Sequence, residues 1–72
     1  MKSQAVNDIL DYFQKNPDAL DTLEGITTWW LLNKYPTQEV QAALCELVTA
    51  GLVVERRGKN KHTYYRRSDA AG

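Results

Sequence analysis

Six cations stand within twelve residues near the end of the chain: Arg56, Arg57, Lys59, Lys61, Arg66 and Arg67. His62, Tyr64 and Tyr65 are set among them. Guanidinium and ammonium groups at that density, carried on a protruding hairpin, can straddle a phosphate backbone or reach into a minor groove. The ordinary alternative is protection of an edge strand, where Lys and Arg discourage aggregation. Six cations in so short a span exceed what edge protection needs, and the clustering favours nucleic acid.

Other chemistry is poorly supplied. Cys45 is the only cysteine, so an intrachain disulfide and a cysteine-based zinc site are both excluded. Cys45 and His62 could ligate a metal only with residues of another chain, and no neighbouring cation in sequence lowers the thiol pKa. Cys45 therefore reads as a small filler on an exposed helix face. Asp8 and Asp11 share a face at i, i+3, but a carboxylate pair for acid–base work needs a pocket and two distinct environments. They read as solvated surface charge. With no nucleophile–base pair and no metal cluster, the expectation is a protein that is not an enzyme and takes no cofactor, metal or small-molecule substrate.

The charge is unevenly spread. Through Gly51 there are three basic and seven acidic residues, a net of −4; from Leu52 onward there are six basic and two acidic, a net of +4. A neutral total therefore conceals a local anion-binding segment. Seventy-two residues, 43% of them hydrophobic, suit one small domain with a thin core. Residues 1–15 have no apolar run and carry Asp8 and Asp11, which argues against a signal peptide. No stretch approaches the roughly 20 apolar residues of a membrane helix. A cytoplasmic location is expected.

The elements that must position the cations can be read from periodicity. Val6, Ile9, Leu10 and Phe13 fall on one face of a helix over residues 3–15, capped by Ser3 and stopped at Asn16-Pro17. A second helix opens at Asp21 or Thr22; capping by Asp21 places Glu24 at the third position, as in a capping box. Ile26 and Trp30 continue its apolar face, and Gly25 either weakens the helix by about 1 kcal/mol or permits a close backbone approach. Asn33-Lys34-Tyr35-Pro36 makes a turn. Thr37 can cap a third helix over residues 38–50, with Val40, Ala43, Leu44, Leu47 and Val48 in one arc and Gln38, Ala42, Cys45, Glu46 and Thr49 in the opposite one. Gly51 is its stop. Two β-prone runs, 52–57 and 63–67, flank a polar tip and predict a hairpin, with 58–62 mobile. A short extra strand near residues 19–21 is compatible with this order, and 68–72 read as a frayed tail.

This order resembles the winged helix-turn-helix family. The resemblance is sharpest at Val40-x-x-Ala43-Leu44-x-x-Leu47-x-x-x-Gly51-Leu52-Val53, with Thr22, Glu24, Gly25 and Ile26 at the start of the second helix. It spans roughly residues 3–67. It implies an α+β fold of three helices and a C-terminal β-hairpin wing, a single domain over residues 1–72, and DNA binding in transcriptional regulation. Fold alone does not fix function.

On that reading the DNA contacts come from Thr37, Gln38 and Gln41 at the start of helix three and from Arg56, Arg57, Lys59, Lys61, His62 and Arg66 on the wing. Gln can pair bidentately with adenine, and Ala42 can pack on a thymine methyl; helix N-terminal residues are the usual readers. The ordinary reading of both glutamines is solvated helix surface. The third helix carries no cation on its outer face, however, and Glu39 and Glu46 would repel phosphates. A second reading therefore stands beside the first: a protein-docking module, or a homodimer, that uses Trp29, Ala42, Cys45 and Thr49. Trp29 and Trp30 cannot both face one narrow core; Trp29 either belongs to an interface, since aromatic residues are enriched at interface cores, or makes a satellite contact with the first helix or the Tyr35 turn.

Overall fold

The computed structural model describes residues 4–68. The order is α1 (Gln4–Lys15), β1 (Leu20–Thr22), α2 (Leu23–Gly25), which continues as a π-helix over Ile26–Trp30, then α3 (Thr37–Thr49), β2 (Val53–Arg57) and β3 (Thr63–Arg67). It is an α+β layout of helices plus a hairpin wing. Ser3, expected as the cap of α1, lies outside the described residues. Among those residues no helix is long and apolar enough to cross a membrane.

The core follows the helical stripes. Val6, Ile9 and Phe13 from α1 meet Ile26 and the Val40, Ala43, Leu44 and Leu47 arc of α3, and Val53 and Tyr65 close it from the sheet. Burial of these side chains is the main stabilising term. Among the described residues every buried side-chain polar atom has a hydrogen-bond partner, so the thin core carries no unpaired polar group.

Helix ends show which local signals won. Thr22, not Asp21, caps α2: its Oγ1 accepts from the Gly25 amide at 3.1 Å, while an Asp21 carboxylate oxygen accepts from the Thr22 amide at 2.7 Å. The capping-box alternative with Glu24 is not formed. Thr37 does not cap α3; it is the first helical residue, and Pro36 occupies the cap with no side-chain bond. Proline fits there because the first turn needs no donor from it and its φ is already helical. Gly51, at φ 79°, ends α3. The Leu52 amide bonds the Leu47 carbonyl and the Gly51 amide bonds the Val48 carbonyl, which is a Schellman motif.

The three strands form one antiparallel sheet in the order β1-β3-β2. Val53 pairs with Arg67 and Arg57 with Thr63; on the other side Leu20 pairs with Arg66 and Thr22 with Tyr64. The extra strand thus lies at residues 20–22, and the hairpin has the expected bounds. The tip at residues 58–62 is a closed loop. The Gly58 amide bonds the His62 carbonyl at 2.8 Å, and Asn60 links its carboxamide to the His62 amide and to the Tyr64 hydroxyl. Of the tail expected over residues 68–72, Ser68 is buried and its amide bonds the Leu52 carbonyl, while residues 69–72 lie outside the described residues.

Candidate nucleic-acid interface

Strand alternation sorts the wing into two faces. Val53, Glu55 and Arg57 of β2 share the core-facing side with Thr63, Tyr65 and Arg67 of β3. Val54 and Arg56 share the outer side with Tyr64 and Arg66. The assignment is anchored by burial: Val53 and Tyr65 are in the core. The six cations are therefore not one patch. Arg57 is on the helix side near the tip, Arg56 and Arg66 are on the outer side, Lys59 and Lys61 are on the tip, and Arg67 is at the root.

A cleft lies between α3 and the wing, lined by Thr22, Leu23, Glu24, Gln41, His62, Thr63 and Tyr65. It brings Gln41 of α3 and His62 of the wing to one concavity. Arg57, opposite Thr63 in the ladder, shares that side of the sheet. Thr37 and Gln38 are exposed on the first turn of the same helix. Arg66 lies with Pro17, Asp18, Ala19 and Leu20 at the sheet root, and Arg67 lines a hollow with Asn7, Leu10, Phe13 and Leu52 beside α1. Neither touches the cleft.

Thr63, Thr22 and Glu24 were not expected in the site from the sequence, where Thr22 and Glu24 figure only as helix-start residues. Two-residue alternation from Tyr65 was enough to place Thr63; Thr22 and Glu24 needed the packing of α2 against the sheet. Glu24 sets a carboxylate in the cleft, and Glu39 and Glu46 are exposed on α3, so positive charge comes from the wing alone. Tyr65 donates its hydroxyl to Glu55 at 3.3 Å, and burial, then the Glu55 charge, pushes its pKa up.

The residues of the docking reading are also exposed, but in two places. Ala42, Cys45 and Thr49 form an exposed stripe at i, i+3, i+7 along α3. Trp29 is 73% exposed and stands over a hollow lined by Asp21, Thr22, Glu24, Gly25 and Thr28. Thr22 and Glu24 line both this hollow and the α3–wing cleft, so the two adjoin. The Leu31 amide reaches back to the Ile26 carbonyl across the π-helical turn, and because adjacent residues of a helix point to different sides, Trp29 does not share the face that seats Trp30. Leu32 and Asn33 follow at φ 53° and 59°. A left-handed Leu costs about 1–2 kcal/mol and leaves its side chain 70% exposed.

Among the described residues no group of three or more His, Cys, Asp or Glu is arranged to hold a metal ion. Family models, curated proteins and solved structures give no match to this chain.

Proposed function

We propose that this is a winged helix-turn-helix protein that binds duplex DNA and serves in transcriptional regulation, in the cytoplasm, without catalysis or a cofactor. The observation that carries the reading is the shared cleft of Gln41, His62 and Thr63, with Arg57 on the same sheet face and Lys59 and Lys61 beyond it on the tip. The exposed start of α3, with Thr37, Gln38 and Gln41, enters or borders the major groove. Arg57, Lys59 and Lys61 hold the adjacent phosphates, and phosphate contacts fix register while base edges supply sequence preference. Titration of mixed-sequence duplex at two salt concentrations tests it directly. Charge-driven binding must be present at low salt and fall steeply as salt rises; no binding at low salt removes the reading.

A second reading rests on the exposure of Trp29 and of the Ala42, Cys45 and Thr49 stripe. Neutral and aromatic surface suits a protein partner or a second copy of the chain better than phosphate. Ala42→Arg or Thr49→Arg would then abolish partner binding, whereas wing variants would mainly slow association. On DNA the same arginines would strengthen binding by adding charge.

A further inference from the structure

A hollow of about 330 Å³ opens where α1 meets the root of the wing. It shares no lining residue with the α3–wing cleft. Its apolar lining is Leu10 and Phe13 of α1 and Leu52 just before β2. Phe13 is buried and Leu10 packs against the core, but Leu52 stays 36% exposed. The core therefore ends at this hollow with apolar surface left open. On the sheet side Val53 pairs with Arg67, and the Ser68 amide bonds the Leu52 carbonyl, so Leu52 and Arg67 are neighbours at the end of the ladder.

Arg67 supplies a charge with no internal use. Strand alternation puts it on the same side of the sheet as Tyr65, and it lines the hollow opposite α1. Among the described residues no hydrogen bond or ion pair engages its guanidinium; only its backbone carbonyl accepts from Arg66. The carboxylate in the lining, Asp11, is paired with Lys15 at 3.2 Å instead. Asp18, which shares a second hollow with Arg67, forms no ion pair with it.

We propose that this hollow binds a small amphipathic monocarboxylate as a ligand, its carboxylate on Arg67 and its hydrocarbon tail over Leu10 and Leu52. Apolar walls with one convergent polar group are the usual make-up of a small-molecule site, and the volume is at the lower end of that class. A guanidinium is always charged and matches a carboxylate with two parallel hydrogen bonds. The single free cation selects one negative charge, and Asp11 beside it disfavours a dianion such as a phosphate monoester. An apolar cation is repelled by Arg67, and a neutral hydrocarbon leaves the guanidinium unused. Because the lining is separate from the α3–wing cleft, this inference does not depend on duplex binding.

The test follows backbone amide shifts of the full chain on titration with hexanoate, acetate, hexanol and hexylamine at constant pH and ionic strength. Hexanoate should give saturable shifts in the millimolar range, gathered at residues 7–14, 52 and 67. Acetate keeps the head and hexanol the tail, and each should bind more weakly than hexanoate. Arg67→Gln should weaken hexanoate binding roughly two- to tenfold, the scale of one exposed, bidentate ion pair, and leave hexanol unchanged. Gln14 is an exposed residue of the lining, so Gln14→Lys should strengthen hexanoate binding and Gln14→Glu should weaken it without disturbing the core. That pair decides the matter if Arg67→Gln melts below the working temperature. Equal binding of hexanoate and hexylamine overturns the proposal. So does Arg67→Gln binding hexanoate as wild type does, a shift map confined to α3 or the wing tip, or no saturable shift with hexanoate.

Discussion

Tyr35 donates its hydroxyl to a carboxylate oxygen of Asp8 at 2.6 Å across 27 residues of chain. The bond ties α1 to the turn that leads into α3, and Gln4 steadies the other carboxylate oxygen at 3.0 Å. Both groups titrate away from their ordinary values. The bonds from Tyr35 and then Gln4 lower the Asp8 pKa, and the Asp8 bond is the main cause that pushes Tyr35 up to about 12.

A pH dependence follows with a definite sign. Asp8 is depressed in the folded state, so its contribution is present above the ordinary carboxylate range and disappears as pH falls through its lowered value. Tyr35 is raised, so its contribution is full below its ordinary value of 10 and is lost as pH climbs through about 12. Tyr65 is raised as well and adds to the alkaline loss. Urea melts of wild type and Tyr35→Phe at several pH values separate the two tyrosines: the variant should lose less stability on the alkaline side. Parallel curves would show that the Tyr35–Asp8 bond does not contribute.

Leu44 is fully buried at the centre of the α3 arc. Leu44→Ala should cost about 2–5 kcal/mol through lost burial and the cavity left behind. A domain of this size has roughly 3–5 kcal/mol in hand, so most molecules should be unfolded at room temperature by circular dichroism. A melt within a few degrees of wild type would place the core elsewhere.

Much of this was legible in the sequence where one signal acted alone. The α1 stripe, the α3 arc, Gly51 as a stop and the hairpin bounds all follow from periodicity or from one residue's backbone preference. The signals that failed were competitive. Thr22 and Asp21 both offered a capping oxygen, and packing of Asp21 over Gly25 decided between them. Thr37 had the right side chain for a cap, but Pro36 already had the right φ. The π-helical turn has no sequence period, so the outward position of Trp29 was legible only as the statement that both tryptophans cannot face inward. The candidate site was half legible: residue types named the wing, but its division into two faces required the register.

Gly25 tests the close approach of Asp21. A Cβ at Gly25 would run into the Asp21 carboxylate, yet the backbone there is helical at φ −63°. Gly25→Ala therefore gains up to about 1 kcal/mol of helix propensity and displaces a carboxylate that holds the Thr22 amide, a bond worth about 0.5–1.5 kcal/mol. The two nearly cancel in the wild-type background. With Asp21→Ala already present, the same Gly25→Ala change should be stabilising in a thermal melt. Additive effects of the two substitutions would mean that the side chains do not interfere.

The two tryptophans should behave oppositely. Trp30 stacks on Tyr12 with ring centroids 4.2 Å apart and takes the edge contact of Phe13 at 4.9 Å, whereas Trp29 is mostly in solvent. Trp30→Ala should cost about 3–5 kcal/mol, or somewhat less because it is only partly buried; Trp29→Ala should stay within about 0.5 kcal/mol. In the Trp29→Ala protein the remaining emission should be blue-shifted and resist iodide quenching. Strong quenching of that protein would put Trp30 at the surface.

The decisive contrast concerns the two kinds of residue in the α3–wing cleft. If duplex DNA lies there, Arg57, Lys59 and Lys61 neutralise phosphates and Gln41 meets base edges. Replacing one of these cations by Ala should weaken binding alike on every sequence and reduce the slope of log affinity against log salt by about 0.9. Gln41→Ala should leave the slope nearly unchanged and narrow the difference between preferred and random duplexes. Gln38→Ala, one helical turn earlier, should act in the same direction. Glu24→Gln removes a carboxylate from the cleft and should strengthen binding on all sequences, most at low salt, because the repulsion between an exposed carboxylate and phosphate is screened as salt rises. The set is read from duplex titrations at three or more salt concentrations. A Gln41 variant that lowers the salt slope while Arg57→Ala does not would reverse the assignment of roles in the cleft.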